Sequence, residues 1–214
     1  MPARQNELYV SVEDYLASEE RSSIRREYVD GRLFAMTGAT LKHNLLSGNL
    51  FSLLHARVKG GPCRVFMKGA KVRVEATNSF YYPDVMVARA AFSGKAVFTD
   101  QPVLLVEVLS PSTSTIARRE KLIAYKQIPS LKEYLIVHQR KRCVEIYRRD
   151  DAGNWSICLL ATRASFEIWS VPGGPIQVSM DDLYADADGE GTTTPAVSED
   201  EADYSWMDES DSEE

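Results

Sequence analysis

The chain has 214 residues, 44% hydrophobic and 26% charged, enough for one well-buried domain with little left for a second. No apolar run approaches the ~20 residues of a membrane helix, and residues 1–7 show no apolar leader. Three scattered cysteines without a CxxC pair argue against a disulfide framework or a thiolate zinc site, so a reducing, cytoplasmic setting is expected.

The formal charge of −6 is unevenly divided. Twelve of the 31 acidic residues lie from Asp186 onward with no Lys or Arg among them, so residues 1–185 carry a net +6. A domain over 1–185 and an acidic, disordered tail over 186–214 are expected, because the tail has too little apolar surface to offset its chain entropy. A basic body suits a polyanionic partner, although plain solubility explains the charge equally well.

Ser11-Val12-Glu13-Asp14 has capping-box form and predicts a helix to about Glu20. The stretch from Arg26 to Met36 reads as a hairpin turning at Asp30-Gly31. Thr40 caps a predicted helix to about Lys59, with Leu46, Leu50, Leu53 and Leu54 on one face, and Gly60-Gly61-Pro62 stops it. Strands are predicted over Cys63–Lys68, Lys71–Glu75 and Phe80–Ala88. Pro102–Leu109 is nearly all apolar, as a central strand covered on both faces should be. A helix from about Ile116 to Gln127 follows. Glu133–His138 and Cys143–Arg148 read as paired strands, Trp155–Leu160 and Ile176–Ser179 as edge strands, and Met180–Tyr184 as a terminal helical turn.

Two carboxylates stand where apolar residues are expected. Glu107 interrupts Val103–Leu109, and Asp84 interrupts Tyr81–Val87. An ionised carboxylate in such a strand must be protonated, paired or metal-bound. Two adjacent strands each carrying one would form an oxygen-rich pocket suited to a hard cation such as Mg²⁺. On the following helix, Lys121 shares a face with Ala117, Ala124, Tyr125 and Ile128, which directs its ammonium inward toward Glu107. The residues themselves leave a structural Lys121–Glu107 pair open beside a catalytic one.

Pro83-Asp84, the run Glu107-Val108-Leu109-Ser110-Pro111-Ser112-Thr113, Lys121 with Tyr125, and Glu133-Tyr134-Leu135-Ile136-Val137 together resemble the Uma2 (DUF820) family of restriction-endonuclease-like proteins. Glu27-Tyr28-Val29-Asp30-Gly31 and His43 resemble its N-terminal features, and the likeness spans roughly residues 8 to 184. The resemblance implies a PD-(D/E)XK nuclease fold of the α/β (α+β) class, a mixed sheet flanked by helices. It further implies that Asp84 and Glu107 bind Mg²⁺, or Mn²⁺ as a substitute, with Glu27 completing the site. Leu109 occupies the usual place of the motif lysine, and Lys121 on the next helix is the implied replacement. His43 and Tyr125 are implied accessory residues. Family members commonly carry Asp four residues before that lysine, where this chain has Ala117. The implied activity is metal-assisted hydrolysis of DNA phosphodiesters, and a homodimer is left open.

Arg25-Arg26, Arg118, Arg119, Arg140, Lys141 and Arg142 are candidate phosphate contacts, each equally readable as solvated surface charge. His43, His55 and His138 lack zinc spacing, and from local pattern His43 reads as a helix-surface residue. Gly60-Gly61 and Gly173-Gly174 lack nucleotide-loop context, and Ser110 and Ser112 sit in no GxSxG elbow. The tail is readable as a solubilising brush, as a nucleic-acid mimic folding back on the basic body, or as a protein-binding motif at Tyr204-Ser205-Trp206-Met207-Asp208. A non-catalytic nuclease-fold module that binds nucleic acid or protein under control of the tail therefore stands as the alternative, and a metal-free buried ion-pair network as a third reading.

Overall fold

The structure, a computed structural model, describes residues 9–36, 38–89, 93–109, 115–160 and 164–188, the side chains of 115–117 excepted. The Ser11 hydroxyl caps α1 (Val12–Glu19) by accepting the Asp14 N–H at 3.1 Å. Strands β1 (Arg26–Val29) and β2 (Arg32–Ala35) form the expected hairpin, with Asp30 and Gly31 at φ of 43° and 85°. Gly31 is doubly required, because a Cβ there would also meet the Tyr9 ring at 2.1 Å. Thr40 caps α2 (Leu41–Val58) through the His43 N–H.

Next in the chain come β3 (Cys63–Met67), β4 (Lys71–Val74), β5 (Ser79–Tyr81), β6 (Val85–Arg89), β7 (Phe98–Thr99) and β8 (Pro102–Leu109). The remainder is α3 (Thr115–Lys126), β9 (Glu133–His138), β10 (Val144–Arg149), β11 (Trp155–Leu159), β12 (Ser165–Ile168), β13 (Ile176–Ser179) and α4 (Met180–Leu183). The single strand expected over Phe80–Ala88 is two strands in two different sheets. Pro83 lacks the N–H that a continuous ladder needs, and the chain changes sheets at Tyr82-Pro83-Asp84. Strands β7 and β12 were not foreseen, and β13 pairs with β12 rather than edging the main sheet.

A six-stranded sheet in the order β11-β10-β9-β8-β6-β3 forms the centre, with β8 and β9 parallel and its other neighbours antiparallel. A five-stranded sheet, β2-β1-β5-β4-β7, and the β12-β13 pair complete the fold. Strand β8 explains why it reads as continuously apolar. Leu104, Val106 and Val108 face a core shared with Leu46, Leu50 and Leu54 of α2, whereas Leu105 faces one shared with Leu122, Tyr125 and Ile128. With both faces covered, β8 offers no solvent side for Glu107.

The expected domain boundary moves. Ala187 is buried, and Asp188 accepts from Arg142 Nε at 2.7 Å and lies 3.6 Å from Lys42 Nζ. Residues 186–188, assigned to the tail by composition, belong to the folded domain. The rest of that segment lies outside the described residues. None of the described helices is long and apolar enough to cross a membrane.

Candidate active site

Strands β6 and β8 run antiparallel with Val85 opposite Val106, which brings Asp84 and Glu107 to the same end of the pair. The Asp84 N–H donates to the Val106 carbonyl at 3.1 Å, holding the residue against β8 although the strand proper begins at Val85. Asp84 is buried. Its Oδ2 accepts the Val108 N–H at 2.8 Å, and its Oδ1 lies 2.6 Å from His43 Nε2.

His43 is therefore not a surface residue of α2. The helix turns it inward, and Gln139 fixes it from behind. Thr40 Oγ1 donates to Gln139 Oε1 at 2.8 Å, and Gln139 Nε2 donates to the Leu109 carbonyl at 2.6 Å. That amide nitrogen lies 3.4 Å from His43 Nδ1. With its orientation set by Thr40 and Leu109, Gln139 presents an N–H to Nδ1. The network thereby assigns the ring hydrogen to Nε2, which donates to Asp84. Gln139 is not among the residues expected at the site. The missed signal was its place directly after an apolar strand, where a polar side chain can still face the interior.

Lys121 of α3 lies inward as its helical position predicts. Its Nζ is 2.8 Å from Glu27 Oε1 and 3.2 Å from Glu107 Oε1, and Tyr125 OH donates to that same Glu107 oxygen at 2.9 Å. Glu27 also accepts the Tyr82 N–H at 3.3 Å. Strand β1, the Tyr82–Asp84 crossing, β8 and α3 thus converge on three carboxylates and one ammonium. Burial pushes the Glu107 pKa up to about 7. Lys121 opposes the shift, the Asp84 and Glu27 charges reinforce it, and the Tyr125 hydroxyl again opposes it. For Lys121 burial works against the charged form, but Glu107 and Glu27 outweigh it and hold the ammonium well above its ordinary range. Tyr125 is pushed well above the usual phenol value by burial and by the same two carboxylates.

The basic candidates divide. Arg119 and Arg140 are exposed and Lys141 is partly so. Arg118 is instead paired with Glu145, which also lies 2.6 Å from His138 Nε2. Arg142 is held by Asp181 and Asp188, and Arg26 by Glu19. These three arginines are committed to carboxylates within the fold, so the expectation of phosphate contact does not carry over to them. The side chain of Ala117 lies outside the described residues.

The donor chemistry fits a hard divalent cation: Asp84, Glu107 and Glu27 offer carboxylate oxygens in one largely buried cluster. Among the described residues no three His, Cys, Asp or Glu side chains are grouped as a ready-made ligand set. Lys121 lies between Glu27 and Glu107, and both Asp84 oxygens have partners. Asp84, Glu107 and Glu27 are the residues that could hold such a cation.

The fold is of the nuclease-like, restriction-endonuclease-related class. The Uma2 family model, described as "Putative restriction endonuclease", matches residues 12–177, and the chain belongs to that family. Among its relatives is "Uncharacterized protein slr1290" of Synechocystis sp. (strain ATCC 27184 / PCC 6803 / Kazusa), 33% identical over 163 residues, which are 76% of this chain and 86% of that protein. A second protein of the same strain, "Uncharacterized protein sll1609", is 30% identical over 72% of this chain and 89% of its own length. A crystal structure from Anabaena variabilis ATCC 29413, described as a putative nuclease belonging to DUF820, shares the fold with a TM-score of 0.63 at 17% identity. The match covers 78% of this chain and 93% of that one.

Proposed function

We propose that this protein is a Mg²⁺-dependent DNA endonuclease whose active site is Asp84, Glu107 and Lys121, with Glu27 as a further carboxylate. One observation carries the reading: strand β1, the Tyr82–Asp84 crossing, strand β8 and helix α3 bring those residues into a single, mostly buried cluster in which carboxylates outnumber the ammonium. Asp84 and Glu107 would hold the ion, and Glu27 would supply a third oxygen. The ion contributes Lewis acidity toward phosphate oxygens and acidifies water.

The chain's own residues do the rest. His43 and the Val108 N–H fix the Asp84 carboxylate, and Tyr125 fixes Glu107, so neither must reorganise when substrate arrives. The Lys121 ammonium offsets negative charge developing on the phosphate, and its elevated pKa keeps it charged throughout the neutral range. Exposed Arg119 and Arg140 supply positive charge for the DNA backbone.

The test is plasmid cleavage in Mg²⁺ and in Mn²⁺ by the full chain, beside Asp84→Asn and Lys121→Met variants. Cleavage lost in both variants is expected. Cleavage retained in both would dismiss this site. DNA binding without cleavage in either metal would favour the non-catalytic module, and the absence of any metal-induced stabilisation would favour a plain ion-pair network.

A further inference from the structure

Beside the carboxylate cluster lies a cavity of about 520 Å³ between the end of α1, the β3–β4 turn, β6 and β7. Its size falls within the roughly 300–1,000 Å³ of small-molecule sites. Phe66, Met86 and Phe98 give it an apolar floor, and the Tyr82 ring forms a wall. Tyr82 joins the two sites, because its backbone N–H donates to Glu27 while its ring lines the cavity.

The cavity also contains a largely buried cation. Lys71 is only 8% exposed, yet among the described residues its ammonium has no hydrogen bond or ion pair. It lies 5.4 Å from the centroid of the Tyr82 ring. Burial lowers the Lys71 pKa from its ordinary value, as expected for an ammonium deprived of water and not fully compensated. Arg25, exposed, lies 5.9 Å from the same ring and packs over Gly69, whose φ of 116° and missing Cβ leave room for the guanidinium. The lining acids compensate this charge only in part, because the Lys71 pKa stays lowered. Glu19 and Glu20 attract the ammonium, but Glu19 is shared with Arg26 and the Tyr82 hydroxyl, and the lining bases Lys71, Arg25 and Arg89 outnumber these two acids.

We propose that this cavity is a subsite for one phosphorylated nucleoside of the substrate strand, its phosphate at Lys71 and Arg25 and its base against Tyr82 and Phe98. An anion would give Lys71 the direct hydrogen bond that no described residue supplies, and base–aromatic stacking tolerates any sequence. The choice of a nucleotide rests on the endonuclease reading; the cationic, aromatic character of the cavity does not.

Calorimetric titration of the full chain in EDTA, with thymidine 5′-monophosphate, thymidine and inorganic phosphate as separate probes, tests it. The monophosphate should bind at least tenfold more tightly than either fragment, and Lys71→Met and Arg25→Gln should each weaken it about tenfold. Arg25→Gln changes an exposed side chain and carries the test should Lys71→Met fail to fold. No binding of the monophosphate, equal binding of thymidine, or affinity untouched by the substitutions overturns the proposal. The titration needs neither metal nor cleavage. Absent binding beside intact cleavage therefore removes this subsite alone, whereas binding beside absent cleavage removes the endonuclease reading and retains a nucleotide site.

Discussion

The Lys121 ammonium stands 2.8 Å from Glu27 and 3.2 Å from Glu107, joining a hairpin near the N-terminus to the central strand of the main sheet. Both carboxylates and the lysine are largely shielded from water, so removing the lysine leaves two negative groups facing each other. Lys121→Met is expected to lower stability at pH 8 by about 3 kcal/mol, the usual loss when one member of a buried pair is deleted. The loss should shrink toward pH 5 as Glu107 takes up a proton. Urea unfolding at the two pH values measures both effects.

Glu107 has a pKa of about 7 in the fold against an ordinary 4.5. Below pH 4.5 it is protonated in folded and unfolded chains alike. Between 4.5 and about 7 the unfolded chain has released the proton that the folded chain still holds, so stability falls as pH rises. Above 7 the penalty is constant. The full difference amounts to about 3 kcal/mol. A Glu107→Gln variant should lack this decline, which paired pH-dependent unfolding curves of variant and wild type would reveal.

Metal should stabilise the wild type and not its ligand variants. An ion that binds only the folded state adds about 2.7 kcal/mol at a hundred times its dissociation constant. Mg²⁺ or Mn²⁺ is expected to raise Tm in the wild type and leave Asp84→Asn unchanged in differential scanning calorimetry. Metal affinity should also increase as pH rises through about 7, where Glu107 loses its proton.

Gln139 orients His43 and therefore Asp84. Gln139→Leu strands the Thr40 hydroxyl, the Leu109 carbonyl and His43 Nδ1, and unmet polar groups of this kind cost about 1–3 kcal/mol. The same variant should shift the pH profile of cleavage, because the His43 tautomer is no longer fixed. Gln139→Glu, which keeps an acceptor oxygen for Thr40 but replaces the N–H donor with a second acceptor, should not restore the profile.

Removing residues 189–214 deletes ten of the 31 acidic residues and no Lys or Arg, changing the net charge from −6 to +4. Tighter, more salt-sensitive DNA binding is expected, with Tm unchanged. Removal from residue 186 onward should additionally lose about 1–2 kcal/mol, because Asp188 then no longer holds Arg142 and Lys42 and Ala187 is no longer buried. Fluorescence anisotropy with labelled duplex and thermal melts of both truncations distinguish the two effects.

Much of the candidate site was legible because carboxylates within apolar runs are conspicuous. Asp84 and Glu107 stand out against Val, Leu and Tyr neighbours, and Lys121 follows from the 3.6-residue period of a helix that must bury one face. Three features were hidden for physical reasons. The break between β5 and β6 is masked because both faces on either side are buried, leaving no polar alternation to show that the chain changes sheets. His43 sits on a helix with only a weakly polar outer face, so nothing local indicates which way it turns. Glu133 and Glu145 lie buried on the interior sides of β9 and β10, matched by Arg148 and by Arg118 with His138. Their partners come from other elements and leave no mark at neighbouring positions.

The sequence by itself determined where the helices and most of the strands lie, which strand is central, and that Asp84, Glu107 and Lys121 are turned inward, since capping, periodicity and the cost of burying charge are local properties. Only the tertiary structure decided that Glu27 is the second partner of Lys121, that His43 and Gln139 stand behind Asp84, and that Arg118 and Arg142 are spent on internal carboxylates. Such pairings depend on which elements become neighbours in space, and neighbourhood is set by the packing of whole sheets and helices rather than by spacing along the chain.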